Sequence, residues 1–190
     1  GTMYKSLRFS ITFVSVIVLL VALTGVANAA PPAAPQAKWT VMVYMSGDND
    51  LESYIVSDIE TELAPTGSSA DVQVVALVDR GPGYVTQGMK ADSASAVADW
   101  GERNMGDPQT LVDFVTWTKA NYPADHYALY FWGHGWSWHP GFVMRDDTNA
   151  ADTLDMDEMQ TALPAIGFMD MVGFDGCNMA SIEVQMLWHG

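Results

Sequence analysis

Four short apolar runs constrain what this chain can build. They are Trp39–Met45 (W-T-V-M-V-Y-M), Asp71–Val78 (D-V-Q-V-V-A-L-V), His126–Trp132 (H-Y-A-L-Y-F-W) and the stretch Met169–Phe174 (M-D-M-V-G-F). Each has strand length. The first is apolar almost throughout, the pattern of a strand buried on both faces. Helical spacing fills the intervals. Leu51, Tyr54, Ile55, Ile59 and Leu63 recur as far as Pro65. Asp107-Pro108 opens a second helix with proline in its first turn. Its buried stripe is Leu111, Phe114, Val115 and Thr118, and Tyr122-Pro123 ends it. Asp155-Met156-Asp157-Glu158 is a capping box ahead of Met159, Ala162, Leu163 and Ile166. Ala180–Leu187 is the last helix, and Tyr84–Trp100 reads as a peripheral hairpin. This alternation predicts an α/β fold: a mostly parallel sheet with helices on both faces.

On such sheets ligands sit beyond the carboxyl ends of the strands. Two residues with chemistry fall there. The stretch Tyr127–Gly135 delivers His134, and Met171–Glu183 delivers Cys177, the single cysteine of the chain. A helical pattern follows Cys177 at once, and the start of a helix favours a thiolate. A lone cysteine and a histidine, each at the end of its own strand, suggest a nucleophile and its base. The other reading is a small buried residue that happens to be cysteine, with His134 in a loop.

Strand alternation places Asp175 on the same side as Cys177, about 7 Å along the strand. A carboxylate there opposes thiolate formation. It therefore either receives a cationic substrate side chain or is satisfied by local N–H groups. Asp48, Asn49 and Asp50 follow the first strand, where capping the next helix is the favoured role over a functional one. The stretch Trp136–Asp155 reads as a long acidic loop, of a length usually functional or mobile.

Composition narrows the classes. The net charge of -15 excludes a nucleic-acid partner, because eight Lys and Arg are too few to neutralise phosphates. Residues 3–29 read as a secretory signal peptide. Lys5 and Arg8 precede an apolar run, and Ala27-Asn28-Ala29 is a small-x-small cleavage site. Residues 30–38 are a proline-rich lead-in and 39–190 the folded domain. The expected location is secreted or periplasmic, with membrane contact only during export. A metal centre is the rival chemistry: His134 and His139 lie five apart, with Asp146, Asp147 and Asp152 downstream. The zinc signal lacks a third clear ligand, and no D-x-D-x-D-G calcium loop is present.

Three linked segments carry a resemblance: W-T-V-M-V-Y-M-S-G-D-N-D-L-E, Y-F-W-G-H-G and V-G-F-D-G-C-N-M-A-S-I-E-V. In order and spacing they resemble the clostripain family of cysteine peptidases, from about Trp39 to the last residue. The resemblance implies a caspase-like three-layer sandwich and hydrolysis of protein or peptide substrates after Arg or Lys. It implies that His134 is the catalytic histidine and Cys177 the nucleophile. The backbone N–H groups of Gly135 and Cys177 match the oxyanion hole, and Asp175 the base of the pocket for the basic side chain. Gly176 stands where alanine is more usual. The family's domain continues further, so this reading makes residues 39–190 a partial peptidase domain, truncated at its C-terminal side, with a second acidic pocket residue downstream. Members are often cut between the histidine and cysteine strands, and Arg145 is the one basic residue available there for self-cleavage. No cofactor is expected to be required, and calcium has no sequence support. The alternatives to a peptidase are a catalytically silent secreted binding module of the same fold and a metal-dependent hydrolase.

Overall fold

The computed structural model of the protein describes residues 36–90, 95–137 and 141–188. The signal peptide expected at 3–29, the first part of the expected lead-in and His139 lie outside the described residues. The four apolar runs are four parallel strands: β1 (Ala37–Gly47), β2 (Val72–Arg80), β5 (Ala124–Trp132) and β8 (Met171–Asp175). Their ends differ by a few residues from the apolar limits, since backbone pairing continues past the last apolar side chain. Between β2 and β5 lies the antiparallel hairpin of β3 (Gln87–Lys90) and β4 (Ser95–Asp99). It lies at the periphery, as expected, and is part of the main sheet: β3 pairs with β2, and β4 is an edge strand. The strand order is β4-β3-β2-β1-β5-β8.

The two-residue period of the strands sorts the core into two faces. Met42, Tyr44, Val75, Leu77, Leu129 and Phe131 point to one side. There they meet α3 (Pro108–Asn121), α4 (Met156–Ile166) and α5 (Ile182–Leu187) through Leu111, Phe114, Met159, Ile166 and Val184. Met45, Ala76 and Val78 point the other way. They pack on Ile55 of α1 (Glu52–Asp58) and on Ile59 and Leu63 of a π-helical stretch that runs into α2 (Ala64–Thr66). The result is a three-layer sandwich. Tyr54, assigned to the buried stripe of this helix, is 61% exposed. Tyr54 stands one residue, about 100° around the helix, from Ile55, which is the residue of the pair that faces the core.

Two sequence expectations are met atom by atom. Asp107 caps α3, accepting from the N–H of Gln109 with Pro108 following. Asp155 and Glu158 form the reciprocal capping box of α4.

One expectation is overturned. Trp136–Asp155 is not a long loop, because it contains an antiparallel hairpin, β6 (Phe142–Asp146) and β7 (Asp152–Asp155). Ser46 Oγ donates to the Arg145 carbonyl at 2.6 Å, and the Asp147 N–H donates to the Asp48 carbonyl at 2.8 Å. The hairpin is thereby fixed across the carboxyl end of β1.

Candidate active site

Sheet order decides which loops meet. From β1 the chain crosses by α1 on one face to β2; from β5 it passes by α4 on the other face to β8. The loops after β1 and β5 diverge, which opens a crevice at the carboxyl edge. Trp132 pairs with Asp175 in the β5–β8 register, and the Gly133 N–H donates to the Asp175 carbonyl at 3.1 Å. His134 and Cys177 each lie two residues beyond that pair, so the two are brought to one edge by adjacent strands.

Glycine makes the close approach possible. A Cβ on Gly135 would stand 2.7 Å from Met179 Sδ and 3.2 Å from the Cys177 carbonyl. A Cβ on Gly176 would stand 3.1 Å from the Gly133 carbonyl and 3.6 Å from the Gly135 nitrogen. The two turns therefore pack closely: a Cβ at Gly135 would displace the Met179 side chain, and one at Gly176 would need the Gly133 carbonyl to give slightly. Among the described residues, no acceptor is bonded to the N–H of Gly135 or of Cys177.

Cys177 is exposed. It lies in a turn, with Asn178 in the left-handed region at φ 58°. This corrects two expectations. Strand alternation stops at Asp175, where β8 ends, so it does not fix the direction of Cys177 relative to Asp175. The helix does not begin at once either: α5 starts at Ile182, capped by Ser181. A helix end acts only over its own first turn, so it gives Cys177 little help.

His134 is held by a partner that sequence reasoning assigned elsewhere. Its Nε2 lies 2.6 Å from Asp50 Oδ1. Asp50 does not cap α1, whose first turn has no side-chain cap. Hydrogen bonding to His134 holds the Asp50 carboxyl below its ordinary range. Asn49 accepts from the Leu51 N–H and donates to the carbonyls of Ser46 and Arg145. Asp48 accepts from the Thr148 N–H. The S-G-D-N-D turn thus joins the β1 end to the β6–β7 hairpin and to His134, where capping had been expected. The signal was present in those three polar residues, but reading it required knowing that β1 and β5 are neighbours.

Asp175 is exposed at the end of the edge strand β8. The described residues of the rival metal reading do not converge. Asp147 pairs with Arg145 at 2.7 Å, Asp152 accepts from Asn104 at 2.6 Å, and Asp146 turns inward, fully buried. Arg145 lies within β6, opposite Thr153, and its carbonyl accepts from both Ser46 and Asn49. No described helix is long and apolar enough to cross a membrane.

Comparison with known proteins agrees with this geometry. The clostripain family model, peptidase C11, matches residues 43–188. Clostripain from Hathewaya histolytica is 30% identical over 77% of this chain and 35% of its own. A secreted C11 cysteine protease from Bacteroides thetaiotaomicron, solved with an irreversible peptide inhibitor, superposes with a TM-score of 0.71 at 24% identity, over 80% of this chain and 46% of that one. An inactive zymogen C11 protease from Parabacteroides distasonis gives 0.65 at 22% identity, over 82% and 46%. The fold is therefore the caspase-like α/β sandwich of C11 proteases. The chain spans about a third of clostripain and under half of the two solved relatives. With three quarters of its length matched by the family model, the chain belongs to the clostripain family.

Proposed function

We propose that this chain carries the catalytic residues of a secreted cysteine endopeptidase that cleaves after Arg or Lys. The observation that supports this best is the β5–β8 register, in which Trp132 pairs with Asp175 two residues before His134 and Cys177. In this reading Cys177 Sγ, as thiolate, attacks the scissile carbonyl and His134 takes the thiol proton. The N–H groups of Gly135 and Cys177 donate to the oxygen that becomes negative. His134 returns the proton to the leaving amine, and water then hydrolyses the thioester. The chemistry requires no cofactor. Secretion rests on the sequence of residues 3–29 and on the secreted relative from Bacteroides. The test is an arginine-ending, thiol-reactive probe applied to the full-length protein. The expected adduct is on the peptide containing Cys177, and excess arginine substrate prevents it. A silent module of the same fold gives no adduct. A metal hydrolase loses activity to a chelator and keeps it after thiol alkylation.

Asp175 supplies the basic specificity in this reading. Asp175→Asn leaves a guanidinium without its charge-assisted partner, a loss of about 2–3 kcal/mol. Cleavage after Arg and Lys falls by roughly 30- to 150-fold at that cost, while the rate of Cys177 alkylation by a small reagent is unchanged. Equal loss on basic and neutral substrates would instead make Asp175 a scaffold residue.

Self-cleavage after Arg145 belongs to the same reading, with a condition the sequence did not disclose. The carbonyl of that bond is held by Ser46 and Asn49, and the following residue, Asp146, is fully buried. The bond becomes a substrate only when β6 opens locally. Purified full-length enzyme is expected to show a slow cut with a new N-terminus at Asp146, absent in Cys177→Ala and in Arg145→Ala. An active protein that remains one chain on a denaturing gel overturns it.

A further inference from the structure

The turn after β8 carries one buried side chain. Between Asp175 and Val184 every residue is exposed or half-buried except Met179, which is 5% exposed. Asn178, in the left-handed region at φ 58°, stands between the exposed Cys177 and this buried neighbour. Met179 belongs to the core cluster that holds Leu129, Phe131 and Val184.

The same side chain also reaches the histidine turn. Met179 Sδ and Cγ lie 2.7 and 2.8 Å from the place a Cβ on Gly135 would take, nearer than any other atom. Cγ lies 3.5 Å from the corresponding place on Gly176. One thioether thus rests against two glycines, one beside His134 and one beside Cys177.

Gly135 needs such a neighbour. The histidine turn is pinned at both ends. The Gly133 N–H donates to the Asp175 carbonyl at 3.1 Å, and Trp136 exchanges N–H···O bonds with Phe142 at 2.9 and 2.7 Å. His134 is held through its ring by Asp50. Gly135 has no side chain by which to be held, and a glycine backbone has the widest conformational freedom. It is nonetheless buried, with Met179 and the Cys177 carbonyl beside it. A donor to a developing oxyanion works best when it is in place before the charge forms.

We propose that Met179 is a positioning residue of this site: its thioether, set against Gly135 and Gly176, holds the Gly135 N–H in the orientation that a tetrahedral intermediate requires. The proposal rests on the peptidase reading and adds to it a residue that acts through Gly135. Methionine suits the place, because an unbranched, polarisable side chain fills the irregular gap that two turns leave.

The test uses the full-length protein and an arginine-ending peptide. Met179→Ala, folded by circular dichroism, is expected to lower kcat by roughly 10- to 100-fold, short of the roughly 10²–10³-fold of a lost oxyanion donor. KM is expected to stay unchanged, as is the rate at which iodoacetamide alkylates Cys177, since alkylation builds no oxyanion. Truncation opens a gap in the core, so Met179→Val, which ends before Sδ and leaves a smaller gap, is the second variant. A double-mutant cycle reads the contact itself. Gly135→Ala displaces Met179 and is expected to lower kcat; in the Met179→Ala background the same change has room and costs several-fold less. A parent that does not cleave removes the peptidase reading and this inference with it. A parent that cleaves, with folded position-179 variants at the parental kcat, removes this inference alone. So does an alkylation rate that falls as far as kcat, which makes Met179 a support of the cysteine turn. A Gly135→Ala cost equal in both backgrounds also overturns it.

Discussion

Cys177→Ala in the full-length protein is expected to reduce cleavage of an arginine-ending peptide to the background of the assay, with the circular dichroism spectrum unchanged. The two halves of that expectation have different causes. Activity is lost because the covalent step needs a thiolate and Cys177 is the one cysteine among these 190 residues. Stability is kept because Cys177 is exposed in a turn, so removing its sulfur opens no cavity in the core. A surface change of this kind is worth within about 0.5 kcal/mol. The left-handed residue of the turn is Asn178, which the substitution leaves in place. Residual activity in the variant is expected to be insensitive to iodoacetamide. A folded alanine variant that cleaves at the parental rate would remove Cys177 from the reaction altogether.

The parts of this fold that were legible in the sequence are the locally encoded ones. The parallel strands announce themselves because each is an apolar run ended by polar or small residues. The α3 and α4 caps are legible because Asp107 and Asp155 act on N–H groups two and three residues away. The β6–β7 hairpin was hidden for two local reasons. A register shift between Phe142 and Met144 leaves Val143 and Met144 both buried, which erases the period of two. Its turn places Ala150 and Ala151 at φ 63° and 56°, where glycine or asparagine is the usual signal. Cys177 and His134 were legible as strand-end residues, but the turn after β8 was not, because the helical spacing of Ala180–Leu187 runs on beyond the true start of α5.

Non-local placement accounts for the rest. Asp50 reaches His134 across 84 positions because β1 and β5 are neighbours, and strand order is not written in any one segment. Asp48, Asp79, Glu102 and Asp146 come together from four places, and each reads alone as an ordinary turn or strand-end carboxylate. Asp146 was noticed with the wrong companions, Asp147 and Asp152, since sequence proximity stood in for spatial proximity.

His134→Ala should lower kcat by about 10²–10⁴-fold, the worth of a positioned acid–base group. His139→Ala is the control and should change kcat little. The contact with Asp50 sharpens this expectation. With Nε2 directed at the Asp50 carboxylate, Nδ1 is the ring nitrogen left to exchange a proton with the thiol. Asp50 then acts as a positioning residue, fixing the ring and its tautomer. Its carboxylate is 81% exposed, so water screens most of its field and its value lies in orientation. Asp50→Asn is therefore expected to cost far less than His134→Ala, within about tenfold, and to fall on kcat with KM unchanged. Asp50→Glu, which keeps a carboxylate for the ring, should recover part of that loss. The sign with pH follows from the lowered Asp50 carboxyl. The contact is complete above the ordinary carboxylate range and is lost as pH falls through the depressed value. Parent and Asp50→Asn should then differ at neutral pH and converge in acid. A loss from His139→Ala as large as that from His134→Ala would assign the base to the wrong histidine. A parent and an Asp50→Asn variant with identical kcat at neutral pH would reduce the Asp50 contact to a surface ion pair.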